Sequence, residues 1–364
     1  MSLKNTPLFD EHKNHGGKII EFAGYRLPIS YSSINHEHNI VRNHVGVFDV
    51  SHMGEFLISG NDAFAFLQKL TTNDLGKLQV GQAQYSVMCT ENGGIVDDLI
   101  IYKKRDEYMM VINASNREKD LEWLKKHQKG DVFIEDISDH TGLLAVQGPK
   151  SRDLFRKISN HNINSLKFYH FCNVSINGIE LMISRTGYTG ELGYELYVKS
   201  DKLVELWKYI INEGKNLGIE PVGLGCRDTL RMEMNYPLYG SDINEKTNPI
   251  EAGLKWITKF EEKQFIGKNN LKKLYKNPFK KLICIEMKER AIPRNGNSIY
   301  YNNDLIGEVT SGTMSPSLKK GIGLGYVYSK QSQIGTNLLI DIRGNKKKGC
   351  IINPPFFKNG SLMN

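Results

Sequence analysis

The 364-residue chain lacks the features that would place it in several large classes. Its five cysteines, Cys89, Cys172, Cys226, Cys284 and Cys350, are scattered, odd in number and contain no CxxC pair. That argues against a disulfide framework or a zinc site and for a reducing compartment. No apolar run approaches the roughly 18–20 residues that span a bilayer, so no membrane span is expected. The opening MSLKNTPLFDEHKNHGGK has no apolar signal core and carries acidic residues, which argues against a leader and leaves the cytoplasm as the expected compartment. The glycine-rich stretch SRTGYTGELGYELY has neither a following Gly-Lys-Ser/Thr nor GxGxxG spacing, so it is no phosphate loop. Lysines are dispersed rather than gathered into a basic stripe with interleaved aromatics, and nucleic acid is not an expected partner. The histidines, including His12/His15 and His36/His38, offer no convincing ligand set, so no metal is expected. No internal repeat marks a solenoid.

What is present describes a soluble globular protein, 40% hydrophobic and 24% charged, long enough for two or three domains. A formal net charge of +8 favours acidic partners or substrates. Loops and helices run to about Asn43, and VGVFDVSHMGEFLISG then reads as a strand pair around a polar kink. A helix over Asp62–Leu70 precedes AQYSVMCTENGGIVDDLIIYKKRDEYMMVINA, a three-stranded meander whose first turn is supplied by Glu91-Asn92-Gly93-Gly94. The helix in SNREKDLEWLKKHQ opens on a capping-box pattern, Ser115 with Glu118. Asn177-Gly178 marks a hairpin, YELYVKS a strand, and DKLVELWKYIINEGKNLG an amphipathic helix ended by Gly218. GLGCRDTLRMEMN reads as a short helix. Beyond Phe279 the helical period is lost and short strands alternate with Gly, Asn and Pro turns. The expected fold class is therefore α+β over residues 1–275, as two interleaved subdomains, followed by an all-β barrel or sandwich over 276–364.

Four stretches carry residues that a plain core would not choose. NGGIVDDLIIY places Asp97 and Asp98 inside an apolar strand covered on both faces. Strict alternation groups Asp97 with Ile95, Leu99 and Ile101, and Asp98 with Val96, Ile100 and Tyr102. An ionised carboxylate in such surroundings needs hydrogen bonds or a cation. SRTGYTGELGYELY sets Glu195 in another apolar strand, with Tyr188 and Glu191 nearby, and its glycines permit tight turns and close backbone approach. GLGCRDTLRME puts Arg227 and Arg231 one helical turn apart on a shared face, where a guanidinium needs a carboxylate, a carbonyl or an aromatic plane. In DVSHMGE, Ser51 and His52 are adjacent on an expected strand, point apart and cannot form a nucleophile–base dyad.

With TPLFDEH, FAGYRLPI, QGPK, TNPIEAGL and GEVTSGTMSPSL, these stretches follow one another in the order of a known family. The chain resembles the T-protein of the glycine cleavage system, the tetrahydrofolate-dependent aminomethyltransferases, over most of its length. Any one segment is weak; the ordered set is specific. The resemblance implies a three-part, cloverleaf-like arrangement around a central folate channel. It implies transfer of the methylene of an aminomethyl group, carried on the lipoyl arm of an acidic H-protein that docks transiently. The acceptor is tetrahydrofolate, and the products are 5,10-methylenetetrahydrofolate, ammonia and the dihydrolipoyl protein, in glycine catabolism and one-carbon metabolism.

Carried onto this sequence, the resemblance makes Asp98 the catalytic carboxylate and leaves Asp97 a structural role. Glu195 would accept paired N–H bonds from the pterin edge, and Arg227 would donate to a ring carbonyl. Tyr188, Tyr85 and Tyr236 would wall the ring, with Met53 and the backbone around Asn113 as further contacts. At the C-terminus, Lys358 in PPFFKNGS stands where some relatives offer Arg, so no substrate contact is assigned there. A folate-binding relative in iron–sulfur protein maintenance carries a Lys-Gly-Cys signature, which GLGCRDTLRME does not match. Demethylating amine oxidases carry a flavin domain for which 364 residues leave no room. A noncatalytic interaction protein would not need a carboxylate and an arginine placed for a pterin.

Overall fold

The structure, a computed structural model, describes residues 3–261 and 263–362. Two sheets face each other and hold most of the first two-thirds of the chain. One has six strands, in spatial order Phe171–Ile176, Ile179–Ser184, Gly193–Lys199, Thr141–Gln147, Val45–Asp49 and Ile219–Pro221. The other has five, in order Gln82–Cys89, Ile95–Lys103, Glu107–Ile112, Gly54–Ser59 and Phe133–Asp136. All five strands of the second sheet lie between Val45–Asp49 and Thr141–Gln147, which pair with each other. The two segments of VGVFDVSHMGEFLISG are therefore strands, but they join different sheets instead of pairing.

Period-two alternation sorts the layers. Along Gly193–Lys199, Tyr194, Leu196 and Val198 face an outer core with Trp207, Leu154 and Phe155, supplied by the helices Leu203–Glu213 and Ser151–Ile158. Tyr197 faces inward, into a cluster that also contains Tyr102, Met109 and Val111 of the opposing sheet. Along Ile95–Lys103, Leu99 and Ile101 face outward toward Leu67 and Leu124, whereas Ile100 and Tyr102 face inward. The architecture is thus helix, sheet, sheet, helix, with the site between the sheets. A closed six-stranded barrel follows, running Lys280–Met287, Lys320–Tyr328, Asp304–Ser315, Ser298–Tyr301, Asn337–Ile342 and Asn345–Ile352 around its circumference. The α+β class with a C-terminal all-β barrel holds.

Three local expectations are corrected. A β-bulge lies at Val96: Met88 pairs with Asp97 and Cys89 with Ile95, so Val96 has no opposite residue. Alternation resets there, and Val96 joins the outer cluster with Leu99 while Ile95 packs in a separate core. Secondly, no capping box forms. The helix spans Arg117–His127 after a 3₁₀ turn at Ala114–Asn116, and its N-cap Asn116 makes no cap bond. The Asn116 amide is instead directed at Asp97. Thirdly, the α-helix expected to run to Gly218 ends at Glu213, and a 3₁₀ turn, Lys215–Leu217, precedes the left-handed Gly218. The Asn177-Gly178 hairpin forms as read, with φ of 51° and 75°.

Candidate functional site

A cavity of about 910 Å³ opens between the sheets and reaches the barrel. All eight residues expected at the site line it: Asp98, Glu195, Arg227, Tyr188, Tyr85, Met53, Asn113 and Tyr236. Their convergence follows from the layers, because Asp98 and Glu195 occupy inward positions on facing strands. Arg227 lies on the helix Leu224–Glu233.

The two aspartates separate sharply. Asp97 is 0% exposed and accepts from the Asn113 backbone N–H (3.1 Å) and the side-chain amides of Asn113 (2.9 Å) and Asn116 (2.5 Å). Asp98 borders the cavity, with Oδ2 accepting from the Tyr85 hydroxyl at 3.0 Å and Oδ1 from the Asn113 amide at 2.8 Å. Burial, reinforced by the Asp97 charge, pushes Asp98 up to about 7. Tyr85 and Asn113 act in the opposite direction by bonding to the charged form. A carboxyl poised there can hold or release a proton near neutrality.

That balance makes a direct prediction. In Tyr85→Phe the donor that favours ionised Asp98 is lost, so its titration midpoint rises by about 1–2 units, the equivalent of one hydrogen bond to a charged group. Carboxyl ¹³C chemical shifts against pH measure this; an unmoved or lowered midpoint would show that Tyr85 does not govern Asp98.

On the opposite wall, Glu195 is 8% exposed, and its Oε2 accepts from Thr186 and, at 3.5 Å each, from Tyr102 and Tyr197. Among the described residues no donor reaches Oε1. Burial pushes its carboxyl upward, opposed by Thr186, Arg227 and the tyrosines. The two arginines also divide. Arg231 is saturated by Asp242 at 2.6 Å, Asp228 at 2.9 Å and Ser311 at 3.1 Å. The Arg227 guanidinium has no hydrogen-bond or ion-pair partner among the described residues and lies 4.7 Å from the centre of the Tyr188 ring. Tyr188 stacks on Tyr236 (centroids 5.6 Å, 25° between planes) and donates to Pro237 O at 2.5 Å. The site thus presents an unfilled acceptor, an unfilled forked donor and an aromatic wall.

Some expectations shift in detail. The Asn113 backbone N–H goes to Asp97 and its carbonyl accepts from Asn116, so its amide side chain rather than its backbone serves the site. Gly187 lines the cavity, but a Cβ there would lie 2.1 Å from Gln147 Oε1, and one on Gly193 would lie 2.4 Å from the same amide. Packing on Gln147 accounts for those two glycines. Ser51 and His52 lie in a turn, and they separate as expected: Ser51 Oγ bonds Leu143, and His52 borders the cavity. Phe357 of the C-terminal segment docks under Arg42, while Lys358 is exposed.

His52 and Trp256 also line the cavity, and the sequence assigns neither of them a role in it. His52 is 4% exposed with Nδ1 unpartnered, and burial followed by Arg227 pushes it down to about 4, so it is neutral at pH 7. Its sequence signal was its place in DVSHMGE. Trp256, 59% exposed, lines the cavity and stacks on Tyr85 with centroids 6.0 Å apart. It sits just beyond TNPIEAGL, and nothing in the local pattern separates it from a core tryptophan.

The chain is similar to known proteins over nearly its whole length. The GCVT N-terminal domain model matches residues 8–262, and the glycine cleavage T-protein C-terminal barrel domain model matches residues 280–358. An aminomethyltransferase of Halothermothrix orenii is 48% identical over 97% of this chain and 100% of its own length. One from Bacillus subtilis is 48% identical over 98% and 99%, respectively. The crystal structure of glycine cleavage system aminomethyltransferase T from Bartonella henselae superposes with a TM-score of 0.92 at 32% identity, covering 99% of both chains.

Proposed function

The chain belongs to the glycine cleavage T-protein family and is an aminomethyltransferase, and from that premise we propose the finer reaction. It transfers the methylene of an aminomethyl group, borne on the lipoyl arm of an H-protein, to tetrahydrofolate, releasing ammonia. The observation that carries the reading is the set of unfilled polar groups in one aromatic-walled cavity. Among the described residues Glu195 Oε1 stands without a donor and the Arg227 guanidinium without an acceptor, and Asp98 is poised near pH 7.

A reduced pterin has the complementary groups. Glu195 accepts N–H bonds from its amino-pyrimidinone edge, a charge-assisted contact that fixes orientation. Arg227 donates to the ring carbonyl, and Tyr188, Tyr85 and Tyr236 confine the ring, with Met53 and Asn113 closing the contact. Asp98 then faces the folate nitrogen, where it holds the proton removed as that nitrogen attacks or supplies one to departing ammonia. The net charge of +8 suits transient docking of an acidic lipoyl carrier. Among the described residues no helix is long and apolar enough to cross a membrane, and cytoplasmic action is part of the proposal. Residues 1–275 bind folate in this reading, and 276–364 close the site as a separate domain.

The test is ammonia release from aminomethylated H-protein, with and without tetrahydrofolate. Release should require the folate; none with a competent carrier would sink the assignment. Glu195→Gln should weaken tetrahydrofolate binding by about 1.5–3 kcal/mol, or ~10–150-fold, the worth of hydrogen bonds to a charged group. Calorimetric titration measures it, and unchanged affinity would count against the pterin-edge role.

A further inference from the structure

Behind Asp97, on the side away from the cavity, a third aspartate is buried. Asp120 lies on the helix Arg117–His127 and is 0% exposed. Its carboxyl contacts Asp97, and neither of its oxygens meets any other hydrogen-bonding group among the described residues. Two buried carboxyl groups in contact cannot both be ionised without a cation, and the cation that acts on Asp120, Lys119, is bonded to other groups. The Lys119 ammonium is bound to Val96 O at 2.5 Å and the Tyr239 hydroxyl at 2.6 Å. The contact is favourable only if one partner carries a proton between them.

The surrounding donors decide which. Three N–H groups converge on Asp97, from Asn113 twice and Asn116 once, and none reaches Asp120. An ionised carboxylate offers about four acceptor sites, so an Asp120 O–H completes the set on Asp97. The ionised member is Asp97 and the protonated one Asp120. The same Asn113 amide that bonds Asp97 Oδ1 also bonds Asp98 Oδ1 and the Asp98 carbonyl. The chain Asp120, Asp97, Asn113, Asp98 is therefore continuous.

We propose that Asp120 is a neutral carboxylic acid in the working protein, donating its proton to Asp97. This acid–carboxylate pair, acting through the Asn113 amide, orients Asp98 and sets the pH at which it ionises. Asp120 is a positioning residue with no contact to substrate, and its effect on turnover rests on the reaction proposed above. The device confines the charge beside Asp98 to one unit, where two ionised neighbours would drive Asp98 further from neutrality. Burial and the Asp97 charge push Asp120 up to about 11, in keeping with that assignment. The ionisable groups facing it are Asp97 and Asp98 from the strand, Lys119 from its own helix and Tyr239 from the loop packed against both.

Asp120→Asn separates this from a merely structural role, because an amide N–H replaces the acid O–H as donor to Asp97. The infrared difference spectrum of the free protein at about pH 9, where Asp98 is ionised, should show loss of one protonated-carboxyl C=O band. Carboxylate intensity should be unchanged. Loss of a carboxylate band instead would overturn the proposal. In the pH profile of turnover, Asp120→Asn should keep the wild-type acid limb. Asp120→Ala, which leaves Asp97 short of a donor and prone to protonate, should move that limb down by about 1 unit as its charge is lost. An equal downward shift in Asp120→Asn would mean that Asp120 carries charge and would also overturn it. The infrared result stands whether or not the protein transfers aminomethyl groups, so failure of the proposed reaction and failure of the pair are distinguishable.

Discussion

Asp98→Asn should lower turnover by about 10²–10⁴-fold, the usual contribution of a positioned proton-transfer group, while leaving the fold intact. Asparagine can keep both contacts in one amide orientation, its oxygen accepting from Asn113 and its NH2 donating to the Tyr85 hydroxyl oxygen, but it cannot take up or release a proton. Folate affinity should change little, because Glu195 and Arg227 hold the pterin in the proposed pose. Steady-state kinetics at saturating tetrahydrofolate, alongside thermal denaturation, separate the effects. Asp97→Asn provides the contrast. It sits among three N–H donors, so an amide there turns one donor contact into a clash and should cost stability. At about pH 8, where Asp98 is ionised in either protein, its turnover should fall far less. A greater loss in Asp97→Asn at equal stability would reverse the roles.

The largest expected effect on stability belongs to Glu233, which does not itself line the cavity. Its carboxylate is 0% exposed and accepts from Arg42 Nη2 at 2.7 Å, Ser317 Oγ at 2.8 Å and backbone N–H at 3.1 Å, and Ser315 Oγ at 2.5 Å. His38 lies at 3.3 Å. Helix Ile34–Asn43, helix Leu224–Glu233 and the barrel strand Asp304–Ser315 thus meet on one carboxylate. Glu233→Gln removes one of the two carboxylates on Arg42, which keeps Glu191 at 2.8 Å, and breaking a buried pair from one side costs up to about 3–5 kcal/mol. Denaturant titration should show it; a loss below about 1 kcal/mol would put the pair in the class of exposed ion pairs.

The pH dependence carries a sign of its own. The donors around Glu233, His38 first, hold it down to about 2 against burial. A group with a lowered folded value stabilises fully above its ordinary carboxylate range and loses that contribution as pH falls toward 2. Wild-type stability should therefore drop between about pH 5 and 2, and part of that slope should vanish in Glu233→Gln.

How much of this was legible beforehand depends on which physics set each feature. Asp98 and Glu195 stood out because carboxylates interrupt period-two apolar strands, and downstream of the bulge the period placed Asp98 correctly. Upstream it failed at Val96, since a bulge depends on the partner strand and on the close fit of Gly94 against Glu245. The Ser115/Glu118 pattern failed because a local cap lost to a tertiary demand, the donors Asp97 requires. Arg227 and Arg231 were indistinguishable on one helical face until Asp242, 11 residues on from Arg231, folded back onto only one of them. Asp120 carried no signal at all. On a charged helix, an aspartate that packs beneath a strand reads like any solvated acid.

The insertion of the five-stranded sheet between two neighbouring strands has a consequence in time. Val45–Asp49 leaves the ribosome early, yet its partner Thr141–Gln147 follows only after the whole of residues 50–140, and its other partner Ile219–Pro221 later still. The nascent chain can assemble the inserted sheet from contiguous sequence, whereas the six-stranded sheet waits on contacts that close long loops. During that interval an apolar strand, VGVFD, has both edges unpaired. Synthesis order thus makes the first-made strand of the central sheet a segment that needs shelter until its partners arrive.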